Sequence, residues 1–550
     1  MKAESILDCH VLVIGSGGAG TRAAIETAGY GSTILLSKTL TGKGGCTTMA
    51  EGGYNAVMNS QDCTEDHFTD TMRGGAFLNN PNLVRVLVDE APERFKDLIS
   101  WGAVFDTAET SECLVAQRPF GGQCFSRTCY AGDRTGHEMM ATLVEKVRAL
   151  DILQIQDRTA INLLLDGDRV CGIITLDREG NLGVIRADAV VLASGGGTQV
   201  FDISTNCAAA TGDGHVMAWR AGAELIDMEM VQFHPTGAIT PKDTRGRLIT
   251  EAVRGEGGVL KNTSGERFMD RYDPVRKELS TRDVVARSIQ TEILNGNGTE
   301  NGGVHLDVSH LPDEVIEKRL PIMLEQFLIY GVDIRKEPME VAPTAHHIMG
   351  GLAISSQGAT TLPGLFACGE ITGGVHGANR LGGNSLADTQ VFGKRAGESA
   401  GKTQEIPVKN RLDPKDQVKK TQKRLAAYLA GDTSPSEYKQ LIKDVMWEKC
   451  GVFRNGADLR EALTLLTDLQ QCRPHALTPA NLAECCSAEN MRRLAWMMVL
   501  SALTRPESRG AHVRTDISQD WTAESSPYGH THILGEECRI EAVTNAEKRS

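Results

Sequence analysis

No apolar run in this chain is long enough to cross a bilayer. The strongest, "LAWMMVLSAL" at Leu494 to Leu503, is about half of the roughly 20 residues a spanning helix needs. There is no basic tail and no Lys/Arg block, and 58 basic against 71 acidic side chains leave a net charge of −13, so nucleic acid is repelled overall. An anionic substrate would need a local positive cluster. None of the 14 cysteines forms a C-x-x-C pair; the nearest groupings are Cys124 with Cys129 and the adjacent Cys485 and Cys486. That spacing argues against an iron–sulfur cluster or zinc held by this chain alone, and most thiols read as reduced, buried small hydrophobes. Internal repeats and low-complexity segments are also absent. No leader fits ahead of the first strand, expected near His10 with a glycine turn directly behind it, so the cytoplasm is the expected compartment.

What the chain has in excess is glycine, 58 in 550 residues, in a length that implies three or four structural units. "HVLVIGSGGAGTRAAIETAGYGSTILLSK" reads as strand, tight turn, helix, strand. Gly15 permits the turn, Gly17 lets the backbone approach a pyrophosphate, and Gly20 lets the helix pack on the strand. Where a nicotinamide site places an acid on the ribose, this chain has Ser37 and Lys38, which favours FAD over NAD. A second strand-to-glycine turn, "ADAVVLASGGG", follows much later, and no second dinucleotide fingerprint is visible. The expected fold is α/β: a Rossmann-like FAD-binding domain (1–236 and 350–404), an inserted α+β capping domain (237–349), a helical C-terminal domain (405–505) and a polar tail (506–550). In "TSPSEYKQLIKDVMWEKC", Ser434, Pro435 and Glu437 predict a capped helix start. His530 and His532 in "GHTHILG" have no third ligand nearby and read as part of a solvated tail.

Three distant segments concentrate Arg, His and Thr between glycines: "QFHPTG", "LITEAVRGEGG" with "STRDVVAR", and "APTAHHIMGGL" running on to "FACGEITGGVHGANRLGGNSLA". With the FAD-type turn they resemble the flavoprotein subunit of the succinate dehydrogenase and fumarate reductase family, over roughly residues 8–400 and weakly again at "RPESRGAHVRTD". The resemblance implies that His234, Thr250, His346 and Arg380 clamp a dicarboxylate, with Phe120 of "QRPFGGQ" covering it. It implies that Arg282 delivers a proton, resupplied through Glu251 and Arg254. Arginine is a poor acid in water, so that role requires such a relay. Asp213, Glu370, Asn384 and Ser385 match flavin and ribityl or ribose contacts, and His376 is placed near the flavin without a chemical role. The resemblance further implies fumarate and succinate as ligands, a separate iron–sulfur subunit docking near the helical C-terminal part, and a cytoplasmic chain that partner subunits can hold at the inner face of the membrane.

The stretch "GKGGCTTMAEGG" has five glycines in twelve positions, among them Gly45, Gly52 and Gly53. Bare backbone there serves close approach of the cofactor. In the membrane-bound, quinone-linked members of the family a histidine in this loop bonds covalently to the flavin; Cys46 stands at that place. Non-covalent FAD is therefore expected, a thioether to Cys46 being the alternative. In the family covalent linkage accompanies a raised flavin potential, so its absence tilts the expectation toward fumarate reduction rather than succinate oxidation. The loop is most similar to the methanogen-type thiol:fumarate reductases, which use coenzyme M and coenzyme B thiols. Competing readings are an L-aspartate oxidase, whose lid resembles "EGGH" where this chain has Pro119-Phe120-Gly121-Gly122-Gln123, a non-catalytic flavin-binding assembly subunit, and a nicotinamide-linked reductase.

Overall fold

The β-branched run ending at Ile14 cannot continue as strand, because Gly15 turns with φ +109° and any Cβ there would collide with the Ala193 carbonyl. The computed structural model, which describes residues 3–108 and 115–543, therefore shows strand β1 (Ala3–Ile14), the glycine turn, helix α1 (Gly18–Thr27) and strand β2 (Thr33–Leu36). A Cβ on Gly20 would strike the Gly15 carbonyl, so the helix sits on the turn only because this position is bare. β1 begins earlier than the expected His10, since its first residues pair with a later strand.

Strands β3 (Leu153–Ile155), β4 (Thr159–Asp166), β5 (Arg169–Leu176) and β6 (Leu182–Leu192) complete the main sheet, in the order β3-β2-β1-β6-β5-β4. β3, β2, β1 and β6 run parallel, whereas β5 and β4 return antiparallel as a meander. Parallel strands covered on both faces need continuous apolar sequence, as "AVVL" in β6 supplies.

A second, antiparallel sheet of β7 (Val231–Ala238), β8 (Val259–Lys261), β9 (Val304–Asp307) and β10 (Met339–Ile348) has the order β7-β10-β9-β8. Between β7 and β10 lie helices α2 (Glu251–Gly255) and α3 (Arg282–Glu292), and this layer has its own core around Leu260, Val285, Leu306 and Val341. The chain then returns to the main sheet, where β11 (Leu365–Ala367) pairs with β6, and α4 (Asn384–Gly401) packs with α1 around Ala23, Val391 and Ala396.

Four helices follow, α5 (Lys415–Tyr428), α6 (Pro435–Lys449), α7 (Gly456–Asp468) and α8 (Leu482–Thr504). The Ser434 hydroxyl accepts from the Glu437 N–H at the start of α6, at 3.2 Å. These helices do not own a separate core: Tyr438, Leu494 and Met498 share one apolar cluster with Leu12 and Val190 of the main sheet.

The expected polar tail is corrected. Strands β12 (Tyr528–Leu534) and β13 (Glu537–Ala542) form a hairpin, and β12 pairs with Leu225–Ile226. Its root is the fully buried Arg505, whose guanidinium meets Glu229 at 2.5 Å, Glu507 at 3.0 Å and Asp227 at 3.2 Å. His530, expected in solvent, bonds through Nδ1 to Asp227 at 2.5 Å, and His532 to Glu224 at 3.0 Å. Polar sequence here is internal pairing, which composition alone cannot distinguish from solvation. The end of the predicted tail, 544–550, lies outside the described residues. Among the described residues no helix is long and apolar enough to cross a membrane, and no His/Cys/Asp/Glu group could hold a metal.

Candidate active site

One cavity of about 730 Å³ runs from the β1–α1 turn to the underside of the second sheet. Gly15, Gly17, Ser37, Lys38, Gly45, Cys46, Gly52 and Gly53 line it at one side; Phe120, His234, Thr250, Glu251, Arg282, His346 and Arg380 line it at the other, with Asp213, Glu370 and Ser385 also on its wall. The N-terminus of α1 opens toward this space with no acid in its first turn; the Gly18 N–H meets the Thr47 hydroxyl at 3.2 Å, and the positive end of the helix suits a pyrophosphate. These features fit FAD.

The histidines come from neighbouring antiparallel strands. His234 on β7 stands opposite Thr344 of β10, and His346 follows two positions later, which brings the imidazole centroids to 5.1 Å. His346 Nδ1 is fixed by the Thr205 hydroxyl at 2.7 Å, and His234 Nδ1 lies 3.3 Å from the Thr236 N–H. Among the described residues His234 Nε2 has no hydrogen-bond partner. Burial, followed by the positive charge of Arg282, holds both imidazoles well below the usual histidine range, so they are neutral at pH 7.

Thr250 caps the short helix α2 through its side chain, and that helix presents Glu251 and Arg254 three residues apart. Glu251 is the hinge of a charged line: its Oε2 accepts from Arg282 Nε at 2.8 Å and lies 3.9 Å from Arg254 Nη2, while Oε1 accepts the Gly121 N–H at 2.7 Å. Burial pushes its carboxyl up, but Arg282, Arg254 and the Gly121 bond outweigh burial and hold it below the ordinary glutamate range. Arg254 is buried behind it, off the cavity, donating to the Glu278 carbonyl. Arg380 is buried, with Nε unpartnered among the described residues and Nη2 3.2 Å from Gln232 Oε1. Burial, reinforced by the nearby Arg282 charge, lowers its pKa, the mark of a cation short of counter-charge.

Gln232 is the residue that the sequence motifs did not single out. Its Oε1 accepts from both Arg282 Nη1 and Arg380 Nη2, each at 3.2 Å, and its Nε2 donates to Asn379 Oδ1 and the Arg380 carbonyl. It sits two positions before His234 within "QFHPTG", so its place on the same face of β7 was the available signal.

Two residues expected at the cofactor have protein partners of their own. The Asn384 side chain is fully buried away from the cavity, exchanging hydrogen bonds with Asn55, His67 and Thr71 at 2.7–3.0 Å. It locks the start of α4 to the neighbouring strand and helix. The Asp213 carboxylate reaches the wall and accepts from Lys38, Thr211, Ser487 and Asn490 at 2.8–3.1 Å, which ties Lys38 to α8 and leaves Oδ1 with one partner among the described residues. Ser37 likewise bonds to Ser16 at 2.7 Å. Phe120 is buried on the wall beside Gly52, with the Arg118 guanidinium 5.7 Å from its ring centre. Glu370 accepts from the Ile348 N–H at 3.1 Å, and burial raises it to about 7. His376 is buried with its ring 5.5 Å from that of His347.

The model of the FAD binding domain matches residues 10–386, and that of the fumarate reductase flavoprotein C-terminal region matches 439–537. The chain belongs to the succinate dehydrogenase/fumarate reductase flavoprotein family. It is thus a chain of the FAD-dependent oxidoreductases of this family. It is 51% identical to one subunit of the fumarate reductase (CoM/CoB) of Methanothermobacter marburgensis, over 94% of this chain and 96% of that protein. It is 38% identical to the chloroplastic L-aspartate oxidase of Arabidopsis thaliana, over 92% of this chain and 80% of that one. In structure it matches a variant of E. coli quinol fumarate reductase with a TM-score of 0.91 at 33% identity, over 98% of both chains.

Proposed function

We propose that this chain interconverts fumarate and succinate, working in the reducing direction, with FAD held without a covalent bond. FAD, when bound, supplies the two-electron carrier that exchanges hydride with the substrate. The chain's own groups do the rest. Arg380 holds one substrate carboxylate, and His234, His346 and Thr250 donate to the other; charge that develops on a carboxylate as hydride arrives is met by donors fixed in advance. Each such donor contributes about 3 kcal/mol if it behaves like a typical oxyanion donor. Arg282 presents a proton at the far substrate carbon, and Glu251 and Arg254 resupply it.

The observation that carries the reading is the Arg254–Glu251–Arg282 line ending on the cavity that also holds His234, His346 and Arg380. The fumarate reductase relative supports the fumarate direction, and the quinol fumarate reductase likeness supports a separate electron-carrying subunit with iron–sulfur clusters. Docking near the helical C-terminal part, location in the cytoplasm or at the inner membrane face through partners, and thiols as the donor belong to the same proposal. So does the division into an FAD-binding body (1–236, 350–404), a capping part (237–349) and a helical part (405–505).

The test is anaerobic, fumarate-dependent reoxidation of a reduced viologen dye by the FAD-loaded chain, with L-aspartate oxidation as control. A fumarate rate that collapses in Arg282→Ala is expected. Aspartate oxidation without a fumarate rate would transfer the assignment to the oxidase, and full activity in Arg282→Ala would remove the proton-delivery role.

A further inference from the structure

Two cysteines face each other on the cofactor cavity, and nothing in the fumarate chemistry uses them. Cys46 ends the Gly44–Gly45 turn and precedes the short helical turn Thr47–Met49; Cys207 lies 161 positions later, in the loop "STNCAAATGDG". Both line the cavity, both are partly exposed, and their sulfurs are 4.0 Å apart. Unbonded sulfurs at that distance touch. A disulfide needs about 2.05 Å, so closure asks for roughly 2 Å of sulfur travel.

The surroundings distinguish the two sulfurs. The nearby backbone N–H groups of Ala209 and Gly45 favour negative charge at Cys207, and the Cys46 S–H points to it across 4.0 Å. Cys207 therefore lies below the ordinary thiol range, first through that S–H bond, and Cys46 lies above it for the complementary reason. Burial pushes other thiols the opposite way: Cys9 and Cys485 to about 12, and Cys171 and Cys486 to about 11. The loop carrying Cys207 is also held in place, since the Ala210 N–H bonds the Cys207 carbonyl and Thr205 is bonded to His346. A low thiol facing a neighbouring thiol from a distant segment is the arrangement of an attacking and a resolving cysteine.

We propose that Cys46 and Cys207 form a reversible dithiol–disulfide centre in the wall of the cofactor cavity, which exchanges with low-molecular-mass disulfides and thiols. In the oxidising direction the Cys207 thiolate attacks one sulfur of a small disulfide; the Cys207–S–S–R bond forms and one RS⁻ leaves. The Cys46 thiol gives its proton to that RS⁻, and its sulfur attacks Cys207 sulfur, forming the Cys46–Cys207 bond and expelling the second RS⁻. The pair loses two electrons, and one disulfide becomes two small thiols. The reverse sequence restores the dithiol. Closing the bond replaces two thiols on the cavity wall, one of them charged, by one neutral disulfide, so the spectrum of bound flavin should respond.

The experiment uses the FAD-loaded chain, equilibrated without oxygen in buffers spanning oxidised to reduced glutathione, quenched in acid, alkylated, digested and weighed. A Cys46–Cys207 peptide two hydrogens lighter than the dithiol, rising with the oxidised fraction, reversed by reductant and accompanied by a shift of the flavin absorption bands, is expected. Cys46→Ser should trap one glutathione on Cys207, because the resolving thiol is gone. Full alkylation of both cysteines at every ratio overturns the proposal. So does a disulfide that appears only after flavin has left the protein. The wild-type mass measurement decides even if the variant does not fold.

Discussion

Glu251→Gln separates the relay from the clamp. The wild-type carboxylate is 2% exposed and stands between two guanidiniums, 2.8 Å from Arg282 and 3.9 Å from Arg254. Removing one partner of a buried charged pair costs about 3–5 kcal/mol, much of it from the cations left behind. Glutamine keeps an oxygen for the Gly121 N–H or for Arg282, so about 2–3 kcal/mol of stability should go, read as a lower melting temperature of the FAD-loaded chain. The catalytic loss is larger, because the proton path is cut: kcat for fumarate should fall about 10²- to 10⁴-fold. Binding should move the other way. The deleted negative charge repels a dicarboxylate, so malonate should bind at least as tightly as to wild type and should restore part of the lost melting temperature. A variant within tenfold of wild-type kcat, or one whose malonate affinity weakens, would refute the assignment. The pH dependence carries the same sign. The folded pKa of Glu251 is depressed, so its contribution is complete above the unfolded value of about 4.3 and is lost as pH falls through the folded one; that portion of acid unfolding should be missing from Glu251→Gln.

His234 and His346 are held neutral by burial and by Arg282, and a bound dianion raises both, so on the acid side of neutrality dicarboxylate binding should take up protons and tighten as pH falls. Calorimetry in buffers of different ionisation enthalpy measures that uptake; a buffer-independent heat would contradict it. Gly20→Ala drives a methyl into the Gly15 carbonyl and should yield protein with little bound FAD, measured by flavin absorbance per chain. Arg505→Met strands Asp227, Glu229 and Glu507 in the interior and should cost about 3–5 kcal/mol, seen as a large fall in melting temperature; an unchanged melt would show that the C-terminal hairpin is not held as described.

The glycine turn, the order of elements around it and the polar clusters were legible because each is a local pattern: Gly15, Gly17 and Gly20 lie within six positions, and "QFHPTG" and "TEAVRGE" carry their chemistry in one stretch. What stayed hidden was pairing across distance. Asn384 also meets Asn55, His67 and Thr71, and Asp213 also meets Lys38 and α8, none of which is near in sequence. Polarity from Arg505 onward read as a tail for the same reason: its partners Asp227 and Glu229 lie more than 270 positions earlier. Cys207 has no local signature at all. Only the fold brings it to Cys46.

The charge balance of the site explains how a protein of net charge −13 can take up a dianion. Long-range repulsion fades within a screening length of about 8 Å at physiological salt, so the surface charge has little hold on a ligand already at the mouth. Arg282 and Arg380 on the cavity wall, with Arg254 behind, stand against the carboxylate of Glu251; burial pushes the carboxyls of Glu370 and Asp388 near Arg380 up to about 7, and the imidazoles are neutral. With Glu370 and Asp388 protonated, two positive charges remain, the number that a dicarboxylate neutralises. A monocarboxylate of equal length would leave one buried cation unpaired; at about 3 kcal/mol for such a loss, it should bind at least a hundredfold more weakly than succinate or malonate. Competition between propionate and malonate for the FAD-loaded chain measures this ratio directly. Affinities within tenfold of each other would mean that the arginines are neutralised by protein groups and that the clamp is not electrostatic.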